Sequence, residues 1–185
     1  MRIYIIFILC FVAFFTNGQV LINEYSAANY DTYQDNYGEY EDWVELYNNS
    51  AAPIDLNGWQ LTDKPNNPSK WVFPNSFIIP ANGFVLVYCS GRDEIVGGNA
   101  HSNFKLTQTK GNEVLVLSNA SGVFQDSIRV LPNQSSHSRG RNVNGAISWA
   151  VFTTATPGAS NTNPQQEYAA TPVFSIQAGY YASPI

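Results

Sequence analysis

Residues 29–42 carry the side chains best suited to bind something. Asp31, Asp35, Glu39, Glu41 and Asp42 supply carboxylates, and Tyr30, Tyr33, Tyr37 and Tyr40 are interleaved with them. Hard oxygen ligands crowded on one loop are the donor set of a Ca²⁺ site. Asp31 and Asp35 nevertheless miss the EF-hand spacing, and no Glu stands at its last ligand position. Phenols set among Asn, Asp and Gly make a second kind of surface. Tyrosine offers a large contact area for little lost rotamer freedom, which is how antibody paratopes use it. Contact with a partner protein or a glycan through Tyr30, Tyr33, Tyr37 and Tyr40 is the favoured binding expectation. A calcium loop built from Asp31, Asp35, Glu39, Glu41 and Asp42 is the less favoured one, and a merely solvated loop is the plain alternative.

Elsewhere the groups that could do chemistry thin out. His101 and His137 are the only histidines, and neither lies in a metalloprotease, phosphate-loop or nucleophile-elbow pattern. Both read as solvent-facing loop residues. No nucleophile is marked with its base, so the expectation is a chain without enzymatic activity and without a cofactor. Cys89 ends the apolar run 84–88 and reads as a small buried hydrophobe. Metal-type Cys/His spacing is absent. Glu24 and Glu45 sit inside strand-like runs, where a carboxylate must find hydrogen-bond donors on a neighbouring loop or strand. Trp43, Trp59, Trp71 and Trp149 are core candidates before they are sugar platforms.

The elements that must position these groups follow from composition. The chain has 185 residues, 44% of them hydrophobic, which suits one packed domain. Only 12% are charged, and the formal net charge is −5. An acidic surface repels phosphate backbones, which argues against nucleic-acid binding. Arg2 followed by the apolar run 3–15 and the small residues Thr16-Asn17-Gly18 has the layout of a cleaved export signal. The run is shorter than the roughly 20 residues a membrane span needs. Cleavage before Gln19 would leave no membrane span. It would also remove Cys10 and leave Cys89 without a disulfide partner.

Beyond residue 18 the pattern is a short apolar run, then a turn. Val44 and Leu46 share one face of the run 43–47. Asn57-Gly58 and Asn82-Gly83 are turn signals. The runs 84–89 and 114–117 are apolar on both faces, as central strands are. Residues 119–122 read as a hairpin loop before the alternating run 124–130. About eight short strands and no helical periodicity predict an all-β antiparallel sandwich, with a parallel sheet excluded.

These runs also assemble into a family pattern. Leu21-Ile22-Asn23-Glu24-Tyr25 resembles the "INE" opening strand of lamin-tail domains, and Asp42-Trp43-Val44-Glu45-Leu46-Tyr47-Asn48 resembles their "WVELYN" strand. Ile54-Asp55-Leu56-Asn57-Gly58-Trp59-Gln60-Leu61-Thr62-Asp63 is similar to the "hDLxGWxLxD" segment. Phe77-Ile78-Ile79-Pro80-Ala81-Asn82-Gly83 is similar to the turn ahead of the central strand. Thr156-Pro157-Gly158-Ala159-Ser160-Asn161 resembles the "TPGxxN" terminator. Each motif is short, and their common order carries the resemblance. It implies an immunoglobulin-like β-sandwich, non-catalytic, of the kind found in nuclear lamins and in secreted bacterial proteins beside hydrolases or CotH-type kinases.

The expected organisation is a signal peptide at 1–18, a lamin-tail-like domain at 19–161, a linker at 162–171 and the start of a further module at 172–185. Residues 172–181 resemble the opening of a chitobiase-type C-terminal β module. Removing the chain from residue 162 onward is expected to cost less than about 1 kcal/mol. The functional expectation is a secreted or cell-surface binding or spacer module of a larger protein. The alternative is an N-terminal accessory domain of an enzyme, a CotH-type kinase or a phosphoesterase or other hydrolase, whose catalytic domain lies beyond residue 185.

Overall fold

The computed structural model describes residues 19–169. The expected signal peptide and the chitobiase-like segment 172–185 lie outside the described residues. Within them the chain forms thirteen strands and no helix. The longer ones are β1 (Val20–Ser26), β2 (Trp43–Asn48), β7 (Phe84–Tyr88), β10 (Val114–Ser118), β11 (Phe124–Arg129), β12 (Ser138–Arg141) and β13 (Trp149–Phe152). Between them lie β3 (Ile54–Asp55), β4 (Gln60–Thr62), β5 (Trp71–Val72), β6 (Ile78–Ile79), β8 (Glu94–Val96) and β9 (Asn99–His101). A seven-stranded sheet runs β13-β12-β1-β2-β7-β9-β8, and a four-stranded sheet runs β11-β10-β4-β5. A small β3-β6 ladder completes the sandwich.

All strand pairs are antiparallel but one. β7 and β9 pair in parallel through Val87↔Ala100 and Tyr88↔His101, a two-residue exception in an otherwise antiparallel sheet. The cause is the β8–β9 hairpin. Its turn uses Gly97 and Gly98, both with positive φ, and brings β9 back alongside β7 in the same direction.

The core lies between the two large sheets. Val20, Ile22, Val44, Leu46 and Val87 face Leu61, Trp71, Phe73, Leu115 and Leu117, and all are nearly fully buried. β1 serves this core with an irregular rhythm. A register shift between Ile22 and Glu24 inserts Asn23 as a bulge. The bulge lets Ile22 and Tyr25 both enter the core although three positions separate them. Glu24 consequently shares the outer face with Glu45, its register partner on β2. Of the four tryptophans, Trp59 and Trp71 join the core, and Trp149 packs partly buried against it. Trp43 is buried on the opposite face of the large sheet.

That outer face is closed by the C-terminal part of the domain. The Thr156 N–H and hydroxyl donate to Glu24 at 3.0 and 2.6 Å, and the Ser138 hydroxyl donates to it as well. Glu45 accepts from Asn23 Nδ2 at 2.9 Å and from the Gly158 N–H at 2.7 Å. Asn161 accepts from Asn23 Nδ2 at 3.0 Å and donates to the Arg141 carbonyl. The segment 156–161 is therefore a strap held down by two buried carboxylates. Gly140 on β12 makes the close approach possible. A Cβ there would lie 2.8 Å from Asn161 Nδ2 and 3.0 Å from the Phe152 ring. Glu24 and Glu45 thus find the loop donors that their burial demands.

The segment expected as a linker from residue 162 is docked as far as Tyr168. Gln165 exchanges backbone hydrogen bonds with Val151 of β13. Both terminal nitrogens of the Arg139 guanidinium reach Glu167 at 2.6 Å. The Tyr168 ring stacks on His137 with centroids 6.0 Å apart. Arg139 is largely buried on β12, and Glu167 is what brings it a carboxylate. Truncation after Asn161 is expected to lower stability by about 1.5–3 kcal/mol, since a hydrogen bond to a charged group contributes about that much. Urea unfolding of the two chains checks this, and a loss below that range would restore the linker reading.

Candidate binding surfaces

The loop 29–42 crosses from the end of β1 to the start of β2, and its own polar side chains fix its backbone. Asn29 Nδ2 donates to the carbonyls of Tyr33 and Glu41 at 2.6 and 2.8 Å, and its Oδ1 accepts the Tyr33 N–H at 3.1 Å. The Asn29 N–H donates to Asp42 Oδ1 at 3.1 Å, closing the base of the loop. At the tip, Asp35 Oδ1 accepts the N–H groups of Tyr37 and Glu39 at 2.8 and 2.9 Å. This side-chain turn is the usual use of Asp in a tight loop, and Gly38 supplies the positive φ it needs.

Several contacts pin the loop to the end of the large sheet. The Tyr33 ring lies 6.5 Å from both Trp43 and Tyr88, so this tyrosine is part of the loop's footing. Arg92 pairs with Glu39 at 2.6 Å and lies 4.3 Å over the Tyr37 ring, while the Tyr37 hydroxyl donates to Glu94 at 2.7 Å. His101 Nε2 meets Asn36 Oδ1 at 2.7 Å, and its Nδ1 meets Ser90 Oγ at 3.0 Å.

The expected site residues therefore divide. Tyr30, Tyr37 and Tyr40 are 67%, 48% and 42% exposed. Tyr33 is half-buried, packed near Trp43 and Tyr88. Sequence order could not separate them, because all four alternate with polar residues in the same way.

The carboxylates do not converge. Asp31 accepts from Thr32 and Ser136, Glu39 is held by Arg92, Glu41 by Lys105 at 3.1 Å, and Asp42 by the Asn29 N–H. Asp35 Oδ2 is buried without a hydrogen-bond partner, but one oxygen falls far short of the 6–8 a calcium shell takes. Among the described residues no three His, Cys, Asp or Glu side chains are placed to hold a metal ion. Burial pushes the Asp42 carboxyl up to about 6, with the Asn29 N–H and the Lys105 ammonium offsetting part of the rise. Saturating Ca²⁺ or EDTA is expected to leave the melting temperature unchanged, because only a ligand of the native state would raise it. A Ca²⁺-dependent rise would bring the calcium loop back.

Two expectations about isolated groups need correction, and one holds. His101 is fully buried in β9, with the Tyr88 ring stacked on it at 5.1 Å and the Tyr37 ring edge-on at 5.6 Å. His137 is half-buried beneath Tyr168. Neither is a solvent-facing loop histidine. Burial lowers the His101 pKa, which favours the neutral ring in this hydrogen-bonded position. Cys89 is buried as expected, and burial holds its thiol well above the ordinary range, so it is not a ready nucleophile.

An all-β sandwich with these strand motifs defines the class of an immunoglobulin-like domain. The lamin tail domain family model matches residues 15–131, and the chain belongs to that family. The family is typically non-catalytic. β12, β13 and the strap lie past the matched residues, yet they complete the same sandwich and carry the "TPGxxN" donors. Among curated proteins no match was found. No helix of the described residues is long and apolar enough to cross a membrane.

Proposed function

We propose that this chain is an extracellular, non-catalytic binding module of a larger secreted or surface protein. Its contact face is the aromatic surface of Tyr30, Tyr37 and Tyr40, and its partner is a protein or glycan at the cell surface. The observation that carries the reading is the pairing of exposed rings with a locked backbone. A preordered loop loses little entropy on binding, so its aromatic area goes into affinity. The export-type sequence at 1–18 supports the extracellular setting. A second reading, an accessory domain beside a CotH-type kinase or a phosphoesterase, draws its support from the resemblance of residues 172–181 to a further module.

Two measurements test the first reading. Expressed with its leader in a Gram-negative host, the chain should be exported and begin at or near Gln19 by mass spectrometry. The fluorescently labelled protein should then bind the surface of the cells that produce it, and Tyr30→Ala, Tyr37→Ala and Tyr40→Ala together should abolish that binding. An intact Met1 in exported material would reject the leader. Undiminished binding by the triple variant would reject the aromatic face.

A further inference from the structure

Gln19 and Val20 differ sharply in their surroundings at the start of β1. Val20 is fully buried, while Gln19 before it is exposed. The Gln19 carbonyl accepts the Asn49 N–H at 2.8 Å, beside the Val20↔Asn48 pair that joins β1 to β2. The backbone of Gln19 is thus anchored to the sheet on its carbonyl side. Its side chain lies in an open groove that Phe124 of β11 and Trp149 of β13 also line.

Cleavage of the leader before Gln19 would free its α-nitrogen. An α-amino group has a pKa of about 8, so near neutral pH part of it is an uncharged nucleophile. The carbon it can reach is Cδ of its own side-chain amide, and attack there closes a five-membered lactam. An intramolecular attack of this kind runs at a very high effective concentration. Asparagine in the same place would have to close a strained four-membered ring, and glutamate would have to expel water from a carboxylate. Glutamine is the residue type suited to the reaction.

We propose that Gln19 is a modification site, converted to an N-terminal pyroglutamate in the exported chain. The bond from the α-nitrogen to Cδ forms, and the bond from Cδ to the amide nitrogen breaks. That nitrogen leaves as ammonia, taking a proton from the α-amine, and nothing is oxidised or reduced. The fold permits the step. Rotamers of an exposed side chain interchange in picoseconds to nanoseconds, so Cδ meets the α-nitrogen freely. The ring uses only the α-nitrogen and the side chain, and the carbonyl stays on the Asn49 N–H. The product is smaller than glutamine by one ammonia, so the groove need not widen to take it. The lactam carries no charge and gives an aminopeptidase no free amine. It therefore guards the link to Asn49 and the start of β1, the strand whose bulge at Asn23 sets Glu24 beneath the strap. The modification rests on the export reading, with the leader cut before Gln19.

Mass spectrometry of the exported chain tests it, beside a synthetic peptide of residues 19–24 as the unfolded reference. Both are held at neutral pH and sampled over time. The chain should start at residue 19 and lose one ammonia about as fast as the peptide does, with tandem spectra placing the loss on residue 19. Gln19→Ala leaves the small residues 16–18 before the cut unchanged. That variant should also start at residue 19, keep its full mass and lose this residue to an aminopeptidase that leaves the cyclised parent intact. A parent chain that starts at residue 19 but cyclises more than about tenfold slower than the peptide would overturn the modification, because the fold would then hold the side chain away from the amine. The export reading would survive that result. A start at any other residue, an intact Met1 included, would overturn both.

Discussion

Replacing Glu24 with alanine is expected to lower stability by roughly 3–5 kcal/mol. The Ser138 hydroxyl, the Thr156 hydroxyl and the Thr156 N–H all donate to this one carboxylate. Each buried donor left without an acceptor costs about 1–3 kcal/mol. Loss of Glu45's like-charged neighbour offsets part of this, since Glu24 helps to hold the Glu45 pKa high. For a domain of this size the melting temperature should fall by about 10 °C. Glu24→Gln keeps one acceptor oxygen and should lose distinctly less. Equal losses in the two variants would mean that side-chain volume, rather than hydrogen bonding, holds the strap.

The second large effect is a dependence on pH. Burial, with the neighbouring charge of Glu24 adding to it, pushes Glu45 up to about 8. Burial raises Glu24 and Asp42 as well. Between the ordinary value of 4.5 and about 8 the folded chain therefore binds a proton at Glu45 that the unfolded chain has released. Stability from this group is fully present below pH 4.5 and is lost as pH rises through 8. The loss is on the order of 5 kcal/mol. His101 acts in the opposite sense. Its pKa is lowered by burial from 6.5, so its contribution is lost as pH falls below that value. Urea midpoints should fall steadily from mildly acidic to alkaline pH, and Glu45→Gln should flatten the alkaline limb. An unchanged slope in that variant would assign the dependence to another group.

The strands that face the core were legible because burial leaves a rhythm in the sequence. β1, β2, β7, β10 and β11 all lie in apolar or alternating runs. β12 was not legible. Its residues Ser138, Arg139, Gly140 and Arg141 are all buried, yet their partners are Glu24, Glu167, Asp126 and backbone carbonyls. A strand sealed by polar contacts shows no hydrophobic period. The docked segment through Tyr168 escaped notice for the same reason, since Arg139 and His137 hold it rather than an apolar patch. β8 and β9 are three residues each, too short for a pattern to emerge. The motifs around Glu24, Glu45 and Thr156 could be matched to a family in sequence. Why they occur together became plain only when the strap was seen to donate to both carboxylates. Within the loop, composition marked a tyrosine- and carboxylate-rich segment. It could not tell Tyr33, which packs on Trp43, from the three tyrosines that face water.

The functional reading depends on the loop 29–42 being fixed before any partner arrives, and amide hydrogen exchange on the free protein measures this directly. The N–H groups of Asn29, Tyr33, Asp35, Tyr37, Gly38 and Glu39 all have internal acceptors. These amides should exchange more than about tenfold slower than an unstructured chain, because each must open locally first. Exchange of all six at the unstructured rate would contradict a preordered tyrosine face, and with it the binding surface assigned to this domain.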